Sequence, residues 1–503
     1  MPNKYRYALI ILLAVSIFLR SWGLTSHSVP DESFEIDRAL NALKGNFDWQ
    51  RIGKGGLYLL LIPVYSIESF FRQGYNVHLL SGRIVQIFIG MGIVYYIFRN
   101  LMLLYGYKWA LLFTIPVVFN AQLIYTGHHV NVQNLMFLGL IIHLYFVLRG
   151  LKEKDNAVLG LSLLPLSLAT ASQLSAAITL APFALLLAVR YATSGRTERK
   201  ETIRIMLRYA AASVVLYVVM TPGIIFFPGS SVKNIAGFVG LSSQAGAVTG
   251  TPSSYLIAHD VNFWKEYARY ALNFFGTFNC FLIFASVIYI FIKQKWLLLY
   301  PLSLLIIFYL VFANASPIVY SGRYIIPGLL MGFIIMPLAV IGFYDRLASL
   351  TGKPFRLAAV AVIFLIALNF GRGAVSGAHY SSQFSLADTR DIVSDWLRLN
   401  ASSEDRILLE NTCNFPVAPI AGRAVYVEHW NLYPRLSSLP ADLVVINVSI
   451  LNFLSSKGSG TSYRKFYDEL IKSPAWVVVH SEKPARGKST GPELLIYKRI
   501  SVK

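Results

Sequence analysis

Four carboxylates stand close together where the chain leaves its first hydrophobic segment. The stretch "SHSVPDESFEIDRAL" contains Asp31, Glu32, Glu35 and Asp37, and a proline directly precedes the first pair. Adjacent carboxylates raise each other's proton affinity, so one of them could accept a proton as a general base. The same spacing also fits a helix at the membrane surface whose acidic side chains are solvated, and periodicity alone does not separate the two interpretations.

Three cations stand at the edges of apolar segments, on the same side of the membrane as these acids. They are Lys54 in "RIGKGGLYLL", Arg83 in "LLSGRIVQIFIG" and Arg323 in "VYSGRYIIP". A Lys or Arg within a membrane helix costs roughly 2.5 to 3.5 kcal/mol on insertion scales, and less when its side chain reaches the interface. Reaching the interface explains each cation singly, whereas three cations converging near a carboxylate pair would bind an anionic group such as a lipid phosphate.

Two later polar stretches supply weaker candidates. His128, His129 and Asn131 stand in "GHHVNVQN", and His259 is followed by Asp260. These spacings lack a metal-ligand pattern such as His-x-x-x-His, so we expect no metal site and no cofactor. Hydrogen bonding to a polar ligand is one use of these side chains, and solvation of a loop is the other.

The composition is that of a polytopic membrane protein. Of the 503 residues, 55% are hydrophobic and only 14% are charged. Apolar runs recur along the chain, each near the roughly 20 residues that cross a bilayer as a helix. The net charge of +20 is concentrated in loops such as "RGLKEKD" and "RYATSGRTERKETIRIMLR". The positive-inside rule assigns these loops to the cytoplasm, so the charge indicates topology and not nucleic-acid binding.

This charge pattern predicts about eleven spans, with the amino terminus inside and the acidic stretch and the chain end outside. The segment "GGLYLLLIPVYSIESFF", residues 55–71, is apolar enough to cross, but a span there would reverse every later loop, so we predict a juxtamembrane helix. The first seven predicted spans cover residues 7–24, 82–98, 109–125, 135–148, 157–171 and 174–189 and a segment ending at Thr221. The predicted outer loops include residues 127–134, 222–264 and 314–327.

Composition also divides the chain into two predicted domains. Residues 1–377 form an all-α transmembrane domain whose first outer loop covers 25–81, and residues 378–503 resemble an ordinary soluble α/β domain on the outer face. In "LADTRDIVSDWLRLN", Ile392, Trp396 and Leu399 have helical spacing and Asp388 can cap the helix. Short β-rich runs follow around a second amphipathic helix, in "RILLENT", "ADLVVINVS", "WVVVHS" and "ELLIYKR".

In order, these motifs resemble a known family. "PDE" after the first span, a basic residue before a small-residue apolar helix, "GRIVQIFIGMG" and a late "GRYIIP" are similar to the GT-C membrane glycosyltransferases. The match is best to the superfamily of protein O-mannosyltransferases and aminoarabinose (lipid A) transferases, which use polyprenyl-phosphate sugars. The resemblance covers the membrane domain, and "PDE" is its most specific element.

The resemblance implies a role for each matched residue. It makes Asp31 the catalytic base with Glu32 beside it. The family often has His or Lys followed by two prolines and Leu before its next helix, and here Lys54 is retained while both prolines are glycines. The resemblance also implies that three cations bind the lipid phosphate: Lys54, Arg83 and Arg323. Tyr324, which follows Arg323, belongs to the same implied site.

Two departures from the family remove charge from the expected site. Many relatives carry an Asp in the second outer loop, where this chain offers Asn131, Gln133 and Asn134. Many also carry a Lys after the fifth span, where this chain has Gln173. These changes fit either a different sugar or acceptor, or an inactive paralogue.

The resemblance predicts an inverting glycosyltransferase that moves a sugar from a polyprenyl-phosphate donor to an acceptor hydroxyl at the outer face of the membrane. The sequence shows no eukaryotic sorting signal, so we expect this membrane to be a prokaryotic plasma (inner) membrane. The expected partners of the enzyme are this donor, membrane lipids and a glycan, lipid or protein acceptor, and no nucleic acid. One alternative is a lipid-linked sugar flippase or transporter, which would have polar residues within its spans and repeat symmetry. Another is a polysaccharide polymerase or ligase.

Overall fold

A computed structural model gives the fold of the chain. It describes residues 2–24, 30–44, 55–71, 75–221, 263–314, 325–350, 353–410, 424–427, 439, 441–448, 462–485, 488–490 and 493–500.

This part of the chain is mostly helical. The α-helices are α1 Asn3–Ser21, α2 Pro30–Leu43, α3 Gly55–Phe71, α4 Tyr75–Tyr105, α5 Tyr107–Val118, α6 Ala121–His128, α7 Val132–Glu153, α8 Asn156–Leu161, α9 Leu163–Ser172, α10 Leu180–Thr193, α11 Arg196–Met220, α12 Phe263–Phe275, α13 Thr277–Ile292, α14 Leu299–Asn314, α15 Ile326–Ile335, α16 Pro337–Ser349, α17 Lys353–Ser382, α18 Thr389–Asn400 and α19 Ser462–Lys472. The strands are β1 Ala387–Asp388, β2 Ile407–Glu410, β3 Ala424–Val427, β4 Leu443–Asn447, β5 Trp476–Glu482, β6 Ser489–Thr490 and β7 Leu494–Arg499.

The chain is a multi-pass membrane protein. Among the described residues, 6 helices are long and apolar enough to cross a membrane, or up to 8 if each bent pair counts as one span. The bent pairs are α5 with α6, at 66°, and α12 with α13, at 103°. This count uses length and composition alone, and it leaves out three shorter apolar helices in the described residues, Gly55–Glu68, Asn156–Ser172 and Trp296–Phe312, so it does not test the predicted number of about eleven. The first predicted span, residues 7–24, overlaps α1, which begins at Asn3 and carries Lys4 and Arg6 before the predicted span and Arg20 within it.

The predicted outer loop 127–134 is largely helical. Helix α6 continues through His128, and α7 begins at Val132. The side chain of Asn131 accepts a hydrogen bond of 2.8 Å from the backbone N–H of Gln133, which caps α7 early and shortens the loop. The prediction of a loop over these eight residues was therefore wrong. It rested on their polar composition and did not consider that Asn131 could cap a helix.

The basic stretch after Arg190 is also helical where a cytoplasmic loop was predicted. Helix α10 ends at Thr193 and α11 begins at Arg196, so the basic run forms the first turns of a helix. Lys, Arg and Glu are good helix formers, which explains why this charged segment continues the apolar helix behind it. Predicted helix 55–71 is confirmed as α3.

Helices α4, α7 and α9 form the centre of the bundle. Their apolar side chains are buried in one core cluster. Close packing, and not exclusion from water, holds helices together in lipid, so small residues at the contacts matter most. At Gly139 of α7 a Cβ atom would lie 2.6 Å from the backbone oxygen of Pro165 in α9, so only glycine allows this approach.

The residues after α17 form a helix–sheet–helix unit. The main sheet has the order β3-β2-β4-β7-β5, with β2 parallel to β3 and β4, and β7 antiparallel to β4 and β5. Successive residues of a strand point to opposite faces. Val444 and Ile446 of β4 accordingly join the core on the α19 side, while Leu443 and Val445 join the core on the α18 side.

Sequence patterns predicted most of this unit correctly. The four β-rich runs contain β2, β4, β5 and β7, and the Asp388 side chain caps α18 by accepting the backbone N–H of Arg390 at 2.8 Å. The predicted apolar face of α18 was wrong at Leu399, which is 83% exposed. Val393 and Leu397 provide the buried face instead. Each follows a residue of the predicted face, Ile392 or Trp396, so the helix is rotated by one residue position relative to the prediction.

The end of α17 is fastened to the end of α1. Ser381 donates a hydrogen bond from its hydroxyl to the backbone oxygen of Leu19. Gly23 has a φ of +71°, and a Cβ atom there would lie 2.5 Å from the backbone carbonyl of Phe384. Glycine thus serves both the turn and the close approach, and it brings the start of the C-terminal unit beside the first helix.

Candidate active site

A buried ion pair joins α2 to α4. Arg83 donates from Nε to Oε1 of Glu32 and from Nη2 to Oε2, each at 2.8 Å, and both side chains are 0% exposed. Two parallel hydrogen bonds between a guanidinium and a carboxylate fix distance and orientation together. The pair spans 51 residues of sequence and holds the first turn of α2 against the fourth helix.

The same two side chains bind two further segments. Oε1 of Glu32 accepts the backbone N–H of Val130 at 2.9 Å, and Nη1 of Arg83 donates to the backbone oxygen of Leu24 at 2.6 Å. The turn after α1, helix α2, helix α4 and the link between α6 and α7 therefore meet at one ion pair. Removing one member of such a buried pair costs roughly 3 to 5 kcal/mol, so the arrangement is rigid.

Asp31 lies in the first turn of α2, directly before Glu32. The structure describes its backbone only. Because Glu32 is fixed on three hydrogen bonds, the backbone position of Asp31 is fixed with it. The other acids of this helix differ from one another: Glu35 is buried and Asp37 is exposed.

Glu35 packs α2 against α3. The hydroxyl of Tyr58 donates to its carboxylate, and Arg38 donates to the same hydroxyl at 3.2 Å. Arg38 also lies 3.8 Å from the Glu35 carboxylate. The interpretation of α2 as a solvated acidic helix is thus wrong for Glu32 and Glu35, whereas the side chain of Asp37 is exposed.

Two adjacent histidines lie at the end of α6. Nδ1 of His128 donates to the backbone oxygen of Arg20, and Nδ1 of His129 to that of Tyr125, each at 2.9 Å. A carbonyl oxygen only accepts, so both rings carry their proton on Nδ1 and present Nε2 as an acceptor. The His128 ring stacks on Phe384 with ring centroids 4.0 Å apart.

His129 stays neutral in this setting. It is 4% exposed. Burial lowers its pKa to about 3, and the positive charges of Arg83 and Arg390 act in the same direction. A neutral imidazole with a free acceptor nitrogen binds a hydroxyl group, whereas an imidazolium could only donate.

Asn131 and Asn134 form specific bonds in the stretch where many members of the resembled family carry an Asp. Asn134 donates from Nδ2 to Oε1 of Gln86 at 2.7 Å and to the backbone oxygen of Thr126. A carboxylate at this position could not donate to either oxygen. Asn131 caps α7 beside the Val130 N–H that binds Glu32. The loss of charge is therefore accompanied by a local network that needs an amide.

Arg20 is a buried cation that the sequence analysis did not assign to the site. It is 1% exposed, and its Nη1 donates to the hydroxyl and the backbone oxygen of Ser16 at 2.7 and 3.2 Å. Gly90 and Gly127 make room for it, since Cβ atoms there would lie 2.9 and 2.7 Å from its Nε. An arginine within a predicted span was the available signal. Phe384 and Arg390, from the C-terminal part of the chain, gave none.

The structure brings Glu32, Arg83, His128 and His129 to one junction, with Asn131 in the adjoining link. The remaining predicted site residues lie outside the described residues; they are Lys54, His259, Asp260, Arg323 and Tyr324. Within the described part of the chain, no group of three or more His, Cys, Asp or Glu could hold a metal ion.

Comparisons with known proteins place the fold. No protein-family profile and no curated protein matches the sequence. The oligosaccharyltransferase of Archaeoglobus fulgidus, in its apo form, matches with a TM-score of 0.54 and 13% identity, over 89% of this chain and 70% of that one. Its complex with an inhibitory peptide and a dolichol-phosphate matches at 0.54 and 12%, over 89% and 69%. ArnT from Cupriavidus metallidurans bound to undecaprenyl phosphate matches at 0.48 and 12%, over 98% of each chain.

The likeness to the archaeal oligosaccharyltransferase establishes the fold. It confirms the predicted class, a polytopic GT-C membrane domain of α-helices followed by a small α/β region. At 12 to 13% identity a shared fold does not define the reaction or the substrate.

Proposed function

We propose that this chain, with its GT-C fold, is an inverting glycosyltransferase that moves a sugar from a polyprenyl-phosphate donor to an acceptor hydroxyl at the extracytoplasmic face. The observation that carries the proposal is the buried Glu32–Arg83 pair, which fixes the start of α2 and hence the backbone of Asp31. The dolichol-phosphate in the archaeal oligosaccharyltransferase complex supports a lipid-linked donor.

In the proposed reaction Asp31 is the general base. Its carboxylate takes the proton of the acceptor hydroxyl while the hydroxyl oxygen forms a bond to the anomeric carbon of the donor sugar. The bond between this carbon and the phosphate oxygen breaks, and its electron pair leaves with the polyprenyl phosphate. One displacement from the face opposite the leaving group inverts the anomeric configuration.

Glu32 and Arg83 are positioning residues in this proposal. Their charges balance each other, and their hydrogen bonds hold α2 in place. This geometry supports a structural use of Arg83 more directly than the phosphate-binding role implied by the family resemblance. Cationic stabilisation of the departing phosphate then belongs to Lys54 and Arg323, with Tyr324 beside the latter.

Polar side chains, most of them neutral, are proposed to contact the sugar or the acceptor. His128, His129 and Asn131 lie around the link that binds Glu32, and His259 and Asp260 remain candidates from the sequence. The amides of Asn131 and Asn134, at the link between α6 and α7, suit hydroxyl groups better than a charged ligand, because amides both donate and accept hydrogen bonds.

The proposed topology follows from charge asymmetry. Residues 1–377, with the first outer loop 25–81, would form the membrane domain, and residues 378–503 a unit on the extracytoplasmic side. The amino terminus would lie in the cytoplasm of a prokaryotic cell, and the protein in its plasma (inner) membrane. Labelling of Asp37→Cys with an impermeant maleimide in intact cells, in a variant whose Cys280 and Cys413 are replaced by serine, tests this orientation directly, since Asp37 is exposed.

Transfer and transport are separated by reconstitution. Proteoliposomes containing the purified protein are supplied with radiolabelled sugar on polyprenyl phosphate and with cell-envelope fractions. The proposal predicts labelled acceptor and a product of inverted anomeric configuration by NMR. Labelled donor that only redistributes between leaflets would support the flippase alternative, and repeated addition of sugar to a growing chain would support a polymerase.

A further inference from the structure

Four aromatic rings meet where the membrane bundle joins the C-terminal unit. Tyr125 and His129 come from the end of α6 and its link, and Tyr380 and Phe384 from the end of α17 and the turn after it. Neighbouring ring centroids lie 4.5 Å apart for Tyr125–His129, 5.5 Å for His129–Phe384, 5.6 Å for Tyr380–Phe384 and 6.5 Å for Tyr125–Tyr380. We call these four residues the ring cluster.

The ring cluster is neither core nor lipid-facing surface. Tyr125, Tyr380 and Phe384 are half-buried, so each ring keeps part of its area accessible. Rings that face lipid differ, as Phe281 and Phe284 are each 64% exposed. Half-buried rings with edge-to-face contacts form a rigid apolar surface that is already organised.

Polar groups on three of the four rings add hydrogen-bonding capacity to this surface: the hydroxyls of Tyr125 and Tyr380, which donate and accept, and Nε2 of His129, which accepts. Nδ1 of His129 donates its hydrogen bond to the backbone oxygen of Tyr125, which leaves Nε2 as an acceptor. In the described part of the chain, no hydrogen bond reaches Nε2 of His129. Apolar walls with a few placed polar groups are the usual lining of a small-molecule site. A pyranose ring matches both features, because its C–H face packs on aromatic rings and its hydroxyl groups donate hydrogen bonds.

The ring cluster adjoins the proposed reaction centre. His129 is followed by Val130, whose N–H binds Glu32 at 2.9 Å, and Asp31 directly precedes Glu32. Its surroundings do not favour an anion, since both cations that act on His129 are paired with carboxylates: Arg83 with Glu32, and Arg390 with Asp388, each through hydrogen bonds of 2.8 Å. A neutral ligand therefore fits better than a lipid phosphate.

We propose that the ring cluster is the acceptor subsite and that it binds the sugar ring of a saccharide acceptor. This inference rests on the proposed function. It makes the C-terminal part of the chain a contributor to the site through Phe384, and it selects a glycan over a protein side chain or a simple lipid as the acceptor.

Saturation-transfer NMR on the full chain in lipid nanodiscs tests the proposal. The probes are the methyl glycosides of mannose, glucose and N-acetylglucosamine, with farnesyl phosphate as the isoprenoid probe. At least one glycoside is expected to receive saturation from the wild type. Tyr380→Leu is expected to weaken its binding about fivefold or more, whereas Tyr380→Phe, which keeps the ring, stays within about twofold. Tyr7→Leu, at a site 64% exposed at the start of α1, is the matched control and should bind as the wild type does.

Each other outcome overturns the subsite. It fails if no glycoside receives saturation from the wild type, if Tyr380→Leu binds as tightly as Tyr380→Phe, or if only farnesyl phosphate responds to the substitution. Failure of the proposed function has a separate signature. In that case the reconstituted wild type transfers no sugar, whatever the glycosides bind, whereas failure of the subsite alone leaves transfer intact with an unchanged acceptor KM in Tyr380→Leu.

Discussion

Replacing Arg83 by methionine should destabilise the protein by about 3 to 5 kcal/mol, because the substitution leaves the Glu32 carboxylate buried without its counter-charge. Both side chains are 0% exposed, so water cannot compensate for the loss. The backbone oxygen of Leu24 loses its donor as well, which places the expected cost in the upper half of this range.

A matched control is an exposed ion pair in the same chain. Arg149 and Glu153 pair at 3.0 Å one turn apart, with side chains 40% and 44% exposed. Arg149→Met should cost about 0.5 kcal/mol or less, because solvent screens this pair. The free energy of unfolding is measured by SDS titration of the purified variants in mixed micelles.

The double variant Glu32→Gln/Arg83→Met measures the coupling free energy between the two residues. If the two residues stabilise each other, the double variant is less destabilised than the sum of the single variants by at least about 1 kcal/mol. Costs that add within about 0.5 kcal/mol would refute the coupling, and with it the claim that this pair fixes the start of α2.

Three further predictions follow from other contacts. The pKa of His129 in the folded protein is lowered to about 3, so its contribution to stability is complete above pH 6.5 and is lost as the pH falls towards 3. His129→Gln should therefore flatten the decline of thermal stability over this pH range. Identical pH profiles of the wild type and His129→Gln would contradict this prediction. Gly127→Ala should destabilise by about 1 to 3 kcal/mol, because its Cβ would lie 2.7 Å from Nε of Arg20, whereas Gly371→Ala, with nothing within 4 Å, should be neutral or stabilising in the same SDS titration. Asn134→Asp should cost about 1 to 3 kcal/mol, because it sets an acceptor against the Thr126 carbonyl; an unchanged unfolding midpoint would show that the amide network is dispensable.

Sequence patterns predicted the local features of this fold. Hydrophobic length predicted the long helices, and short runs rich in β-forming residues predicted β2, β4, β5 and β7. Asp388 was identified as a helix cap because capping depends on neighbouring residues only. Bends such as the 66° break between α5 and α6 were missed, since both halves have the same apolar character.

The candidate site was predicted in its residues but not in its pairing. "PDE" pointed to Asp31 and Glu32, and the sequence also singled out Arg83. That Arg83 binds Glu32 depends on how α2 and α4 pack, which no spacing over 51 residues encodes. The burial of Glu35 and Arg20 was likewise set by tertiary contacts, with Tyr58 and with two glycines of other helices.

Sugar transfer by Asp31→Asn, with Asp37→Asn as the matched control on the same helix, determines whether Asp31 is the general base. Both variants lose one carboxylate, and Asp37 is exposed. We expect Asp31→Asn to lower the transfer rate by about 100-fold or more while donor binding is retained, because the general base is lost. Asp37→Asn should transfer sugar at the wild-type rate. Equal rates for the two variants would contradict the assignment of Asp31 as the general base.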